Sequence, residues 1–348
     1  MKYWNSTLQK MDEYVPGEQP ENLDQYIKLN TNENPFPPSK SVLEAIRNAV
    51  NDNLRRYPNP TGNTVRGLFA AENGISADNV FIGNGSDEIF TLIFRGFIEK
   101  NGTAAFPYPS YSLYNTLAQG NGIAFETVPL KKDFSYDLNL FLKKAYDLVI
   151  IANPNNPTAT YCSVEEIDRF CSRFKGLLVV DEAYIDFYGG SSLALIQKYD
   201  NLIVTRSFSK SYSLAGLRVG MALANADIIR GLVKIKDSYN VDMLALAGAG
   251  AALKDTKAFN YNIEMMRNNK EYLEERLEGL GFTSIPSRAN FIFTKHPGVS
   301  ATEIYEALKE QKILVRHFKG DVLSEYIRIS VGTMMEIKAL CKALETIV

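Results

Sequence analysis

Lys210 ends an apolar run in NLIVTRSFSK, is flanked by Ser207, Ser209 and Ser211, and has Arg218 eight residues on. A lysine amine turns nucleophilic near neutral pH when it is desolvated or placed beside another cation, and Arg218 offers that neighbour. Hydroxyls together with a guanidinium also suit a phosphate dianion. Taken alone, the segment reads equally well as a solvated loop with one lysine among many. Asp181 and Glu182 close the continuous apolar run of GLLVVDEAY. A carboxylate buried there is costly without a cationic partner. A protonated ring nitrogen would be such a partner for Asp181, with Tyr184 placed to reach a phenolic oxygen on the same ring. An ordinary strand-end acid capping a helix is the commoner use of such a residue. ANPNNPTA sets Asn156 before Pro157 and offers an amide to a ligand, although turn chemistry alone also favours these residues. GNGSDE places Gly85, Ser86 and Asp87 at the start of a predicted helix, where free backbone N–H groups suit a phosphate.

Each of these segments lies at or just past the C-terminal end of a predicted strand. The strands are read at 80–83, 103–106, 145–154, 176–184 and 201–210, and LRVGMALAN follows the last of them. Helical patterns alternate with them in SDEIFTLIFRGFI, PSYSLYNTLAQG and VEEIDRFCSRF. That alternation predicts βαβ units and a mainly parallel sheet with helices on both faces. Ligands gather at the carboxyl edge of such a sheet, so residues distant in sequence converge there. Upstream, TNENPFPPS is too rich in proline for a helix or a central strand, so residues 1–40 read as an extended arm. A helix follows over VLEAIRNAV, with Ser41 as its cap and Glu44 completing a capping box, before RRYPNPTGN breaks regularity. Past residue 240 come two long helical stretches and then short strands and helices, the pattern of a smaller α+β unit. The expected division is an arm at 1–40, a large unit at 41–240 and a small one at 241–348.

Composition removes several alternatives. A formal charge of −2 gives no electrostatic reason to expect nucleic acid or an anionic membrane. No apolar run is long enough to span a bilayer, and the first residues, MKYWNSTLQKMDEY, lack a secretory core, so the cytoplasm is expected. Cys162, Cys171 and Cys341 show no CxxC spacing and read as buried thiols, with no metal site implied. The only histidines, His296 and His317, support neither a zinc motif nor a Ser-His-Asp relay. Neither GNGSDE nor the GAGAA of 248–252 completes a dinucleotide fingerprint. Taken together, the phosphate nest, amide, carboxylate, phenol, lysine and arginine match what a phosphorylated pyridine aldehyde needs.

In order, EYVPGEQP, KLNTNENPFPP, RYPNP, GNGSDE, NPNNPT, VVDEAY, SFSKSYSLAGLRVG, SRANFIF and RISVG run through the chain. With them it resembles the fold-type I aminotransferases, and within those the histidinol-phosphate aminotransferases, over essentially its whole length. VPGEQP with NTNENPFPP is the specific part of the resemblance. The resemblance implies pyridoxal 5′-phosphate (PLP) held by Lys210 as a Schiff base, with Asp181 on the pyridinium nitrogen and Tyr184 and Asn156 on the ring oxygen. Tyr111 would stack on the ring. The phosphate would be held near Gly85 by Ser86 and Asp87 amides, with Ser207, Ser209 and Arg218. Tyr57 would reach the cofactor of a neighbouring subunit, which implies a homodimer with shared sites. Arg328, Arg316 and Tyr14 would bind the anionic end of the substrate. Ala159 departs from the pattern, since the family usually has glycine there.

The reaction so implied exchanges an amino group between L-histidinol phosphate and 2-oxoglutarate, in histidine biosynthesis. An aromatic amino-acid aminotransferase or a threonine-phosphate decarboxylase on the same scaffold is the alternative, because a fold does not fix a reaction. A non-catalytic, regulatory member is a further class. Intact Lys210 and Asp181, and the lack of a helix-turn-helix segment, argue against it.

Overall fold

In the computed structural model, which describes residues 3–9, 11 and 17–348, the arm supplies one short strand, β1 (Ile27–Lys28). Helices α1 (Lys40–Ala49) and α2 (Asn63–Asn73) follow. Ser39 caps α1, its hydroxyl accepting from the Val42 N–H. The expected Ser41–Glu44 capping box does not form: the Ser41 hydroxyl donates to Asp255 at 2.6 Å, a partner invisible to local pattern. Helix α2 follows the break at RRYPNPTGN, in a stretch to which the sequence pattern assigned no element, and it buries Val65, Phe69 and Ala70.

Strands β2 (Val80–Asn84), β3 (Thr103–Tyr108), β4 (Ala124–Pro129), β5 (Leu148–Ala152), β6 (Leu177–Asp181), β7 (Leu202–Ser207) and β8 (Val219–Ala224) make one sheet. Its order is β2-β8-β7-β6-β5-β3-β4. Only β8 runs against its neighbours; the other pairs are parallel, as the alternating pattern predicts. All five residues of β5 are buried, which explains its unbroken apolar run. Strand β4 lies at the sheet edge with mostly exposed side chains, so no apolar run marked it. Helices α3 (Gly85–Gly96), α4 (Leu113–Gly120) and α6 (Ala226–Ile235) close one core around Phe81, Ile89, Phe90 and Tyr114. Helices α1, α2 and α5 (Val164–Cys171) close the other, around Val65, Phe69, Ile167 and Phe170.

Helix α7 (Met243–Lys254) joins this second core through Ala245, Ala249, Ala252 and Leu253, although the sequence assigned it to the smaller unit. The smaller unit begins with α8 (Thr256–Gly279). It continues through β9 (Thr283–Ile285), β10 (Phe291–Lys295), α9 (Ala301–Glu310), β11 (Ile313–Leu314), β12 (Arg316–His317), β13 (Ile327–Ser330) and α10 (Met334–Leu344). Four of these strands form an antiparallel sheet in the order β12-β13-β10-β9. The fifth, β11, pairs in parallel with β1, which fastens the arm to the smaller unit. The three cysteines are free and buried, as expected.

Candidate functional site

A cavity of about 360 Å³ lies across the carboxyl ends of β5, β6 and β7, and residues from the smaller unit and the arm also line it. Of the residues singled out in the sequence, Ser86, Asp87, Tyr111, Asn156, Asp181 and Tyr184 line it. Ser207, Ser209, Lys210, Arg218, Arg316 and Arg328 do so as well.

Asp181 is the last residue of β6 and is 6% exposed. Tyr114 donates to one carboxylate oxygen at 2.6 Å, and Thr205 and the Ala183 N–H donate to the other at 3.1 and 3.2 Å. Burial raises the Asp181 pKa against those hydrogen bonds. No ion pair compensates it among the described residues, so a buried carboxylate faces the cavity without a protein cation. A protonated pyridine nitrogen is a fitting partner.

Lys210 follows the end of β7, and its Nζ donates to the Thr31 carbonyl at 3.2 Å. Burial, then the positive fields of Arg328 and Arg218, push its amine down to about 8, although Glu33 and Asp87 oppose this. The amine lies 5.8 Å from the centre of the Tyr184 ring. The Tyr184 hydroxyl accepts from Asn32 at 3.1 Å, and its ring packs edge-on against Phe291.

A cradle suited to a phosphate is built from two elements. Asn84, which caps α3, makes no side-chain cap bond, which leaves the first helical N–H groups to an anion. Arg218 adopts a left-handed backbone, φ 51°, and bridges Asp87 at 3.0 Å and the Ser209 hydroxyl at 3.2 Å. The Ser207 hydroxyl accepts from the Ser209 N–H at 3.1 Å. Gly220, on β8, makes the cradle possible: a Cβ there would lie 2.5 Å from both Gly85 C and Ser86 N. Gly85 itself has φ +75°, and a Cβ on it would lie 2.6 Å from an Arg218 nitrogen.

Arg316 and Arg328 are register partners on β12 and β13, which places both guanidinium groups on one face of the small sheet. Arg328 is 7% exposed and donates to the Asn156 side-chain oxygen and to the Asn30 carbonyl, the latter at 2.7 Å. Phe291 and Phe318 lie 5.3 and 5.6 Å from its guanidinium carbon. A partly desolvated guanidinium pair of this kind matches a phosphate monoester or a carboxylate equally well.

Two predicted residues stand apart. Tyr57 is 77% exposed and stacks on Tyr239, with ring centroids 4.3 Å apart, outside this cavity. Tyr14 lies outside the described residues. Ala159, in the position expected to hold glycine, has φ +60° and is fully buried, so the alanine takes up the glycine-type turn. Sequence reasoning missed Tyr114, Thr205, Asn30, Asn32 and Gly220. Thr205 pairs in register with Asp181 on the adjacent strand, which only the folded sheet reveals. Nothing local marks the others.

The family model described as Aminotransferase class I and II matches residues 24–344. A histidinol-phosphate aminotransferase of Clostridium beijerinckii is 44% identical over 99% of this chain and 97% of its own length. One from Pseudomonas putida (strain W619) is 41% identical over 99% of each chain. The crystal structure of histidinol-phosphate aminotransferase from Sinorhizobium meliloti in complex with pyridoxal-5′-phosphate superposes with a TM-score of 0.90 at 26% identity. That match covers 100% of this chain and 99% of the other.

Proposed function

The chain belongs to the class I and II aminotransferase family, and from that premise we propose how its residues carry out the reaction. It is a PLP-dependent aminotransferase that converts L-histidinol phosphate and 2-oxoglutarate to imidazole-acetol phosphate and L-glutamate, a step of histidine biosynthesis. The observation that carries the assignment of roles is one cavity holding a buried, uncompensated Asp181 and an amine, Lys210, depressed to about 8.

When bound, PLP supplies an aldehyde for Lys210 and a protonated ring that withdraws electrons from the carbon losing its proton. Asp181, fixed by Tyr114 and Thr205, accepts the ring-nitrogen proton's hydrogen bond and keeps that proton in place. Tyr184 and Asn156 would orient the ring through its hydroxyl, and Tyr111 would cover a face; all three line the cavity. Backbone N–H groups of Ser86 and Asp87, the hydroxyls of Ser207 and Ser209, and Arg218 hold the phosphate. With the cofactor and substrate in place, Lys210 Nζ would take the proton from the amine-bearing carbon and hold it until its return, as general base and then general acid. Burial keeps enough of this amine neutral near pH 8 to do so. Arg328 and Arg316 bind the phosphate of one substrate and the distal carboxylate of the other.

Tyr57 does not line the cavity of its own chain and is exposed, which supports its reaching the site of a second copy in a homodimer. Tyr14 would close the substrate end of the site. The packing of α7 in the larger core supports residues 41–254 as the unit that holds the cofactor and residues 256–348 as the smaller unit. No helix among the described residues is long and apolar enough to cross a membrane, in keeping with a cytoplasmic setting.

The test is an incubation with L-histidinol phosphate, 2-oxoglutarate and PLP. L-Glutamate accumulates in proportion to enzyme, and Arg328→Ala lowers kcat/KM for both partners by about 100-fold, the scale of losing a charge-assisted contact. Protein that takes up no PLP overturns the reading. Carbon dioxide from threonine phosphate without glutamate would establish the decarboxylase instead.

A further inference from the structure

Glu182 has no part in the chemistry above, yet its side chain is wholly buried. Neighbours on a strand point to opposite faces. Asp181 enters the cavity, and Glu182 leaves from the far side of the sheet. There it accepts from Arg206 at 3.0 Å, from the Ser191 hydroxyl at 2.6 Å and from the Ser192 N–H at 2.6 Å. The same alternation on β7 sends Thr205 to Asp181 and Arg206 to Glu182. Arg206 continues to one oxygen of Asp186 at 2.6 Å. The other Asp186 oxygen accepts from the Ser211 hydroxyl at 2.6 Å. Ser211 is the residue after Lys210.

A run of charge-assisted hydrogen bonds therefore leads from the end of β6, behind β7, to the peptide that carries the reactive lysine. From the other side, the Asn34 amide donates to the carbonyl oxygens of Lys210 and Ser211, at 3.1 and 3.3 Å. Buried ion pairs of this kind contribute little net stability, because desolvation of the ions offsets their attraction. What such a network does fix is direction. Lys210 Nζ sits at the end of a flexible four-carbon stem, so a shift of its main chain moves the amine away from its target.

We propose that Glu182, Arg206, Asp186 and Ser211 are positioning residues that hold the Lys210 main chain, so that Nζ meets the aldehyde carbon of PLP. The proposal rests on Lys210 condensing with that carbon: the N–C bond forms, the C–O bond breaks, and the oxygen leaves as water with two protons from the amine. The network touches neither cofactor nor substrate, so its effect must pass through Lys210.

A double-mutant cycle on PLP affinity, read by equilibrium dialysis, tests this without reference to activity. Ser211→Ala weakens PLP binding about tenfold when Lys210 is present and by less than about twofold in the Lys210→Ala background. Ser211→Thr, which keeps the hydroxyl, restores the affinity. Equal losses in both backgrounds would show a general effect on cavity shape and overturn the proposal, as would no loss in either. Should Ser211→Ala fail to fold, Asp186→Asn enters the same cycle with the same two outcomes. If the unsubstituted chain takes up no PLP, the cofactor reading fails first, before any substitution is made.

Discussion

At the scale of single residues, Lys210 shows what burial does to an amine. An amine with its usual value of 10.5 is almost wholly charged at neutral pH, whereas one near 8 has a useful neutral fraction. The rate at which cofactor-free protein captures PLP should therefore climb as pH rises through about 8 and then level off. Stopped-flow absorbance would show it; a rate still climbing steeply at pH 10 would contradict the assignment. The same lysine leaves a mark on stability. Between pH 8 and 10.5 the unfolded chain holds a proton that the folded chain has lost, so this group's contribution to the stability of cofactor-free protein rises with pH across that window. Ala159 illustrates an opposite balance. A left-handed alanine costs about 1–2 kcal/mol. Restoring glycine gives up a buried methyl and adds about 0.4–1 kcal/mol of unfolded-state freedom. The terms nearly cancel, which is how the departure at residue 159 is tolerated.

At the scale of elements, the site is a set of strand ends brought level by sheet register. Asp181 on β6 pairs in register with Thr205 on β7, so the carboxylate and its hydroxyl donor lie on the same face of the sheet. β8 runs the other way and brings Gly220 against the first turn of α3. Backbone atoms only 2.5 Å from where an alanine Cβ would sit have no rotamer by which to yield, so Gly220→Ala must push Ser86 out of the phosphate cradle. PLP affinity should fall by at least about tenfold, with about 1–3 kcal/mol lost in stability from overpacking. Titration with PLP and thermal unfolding would measure both, and an unchanged affinity would show that the α3 amides do not hold the phosphate. The legible part of this scale was the apolar strand run ending in polar residues. Helix α2 and strand β4 were not legible, since one follows a proline-rich break and the other is an exposed edge.

At the scale of the whole molecule, the exposed Tyr57 stacked on Tyr239 is the feature a single chain leaves unused. If it completes the site of a second copy, two inactive variants can repair each other. Mixed dimers of Lys210→Ala with Tyr57→Ala contain one site with both residues intact. Random mixing then recovers at most about a quarter of the unsubstituted activity, as expected for a two-fold assembly. A mixture no more active than its parts would place Tyr57 outside the site.

The sequence by itself determined the alternating architecture, the strand ends that bear Lys210, Asp181 and Asn156, and the glycine-led start of α3. These are legible because strand burial and turn chemistry are written in neighbouring residues. Only the tertiary structure decided that Tyr114 steadies Asp181, that Asn32 reaches Tyr184, that Gly220 lets β8 approach the first turn of α3, and that α7 packs with the larger unit. These contacts join residues separated by long stretches of chain. Their existence depends on which strand ends and helices come to lie together, and spacing along a sequence carries no record of that.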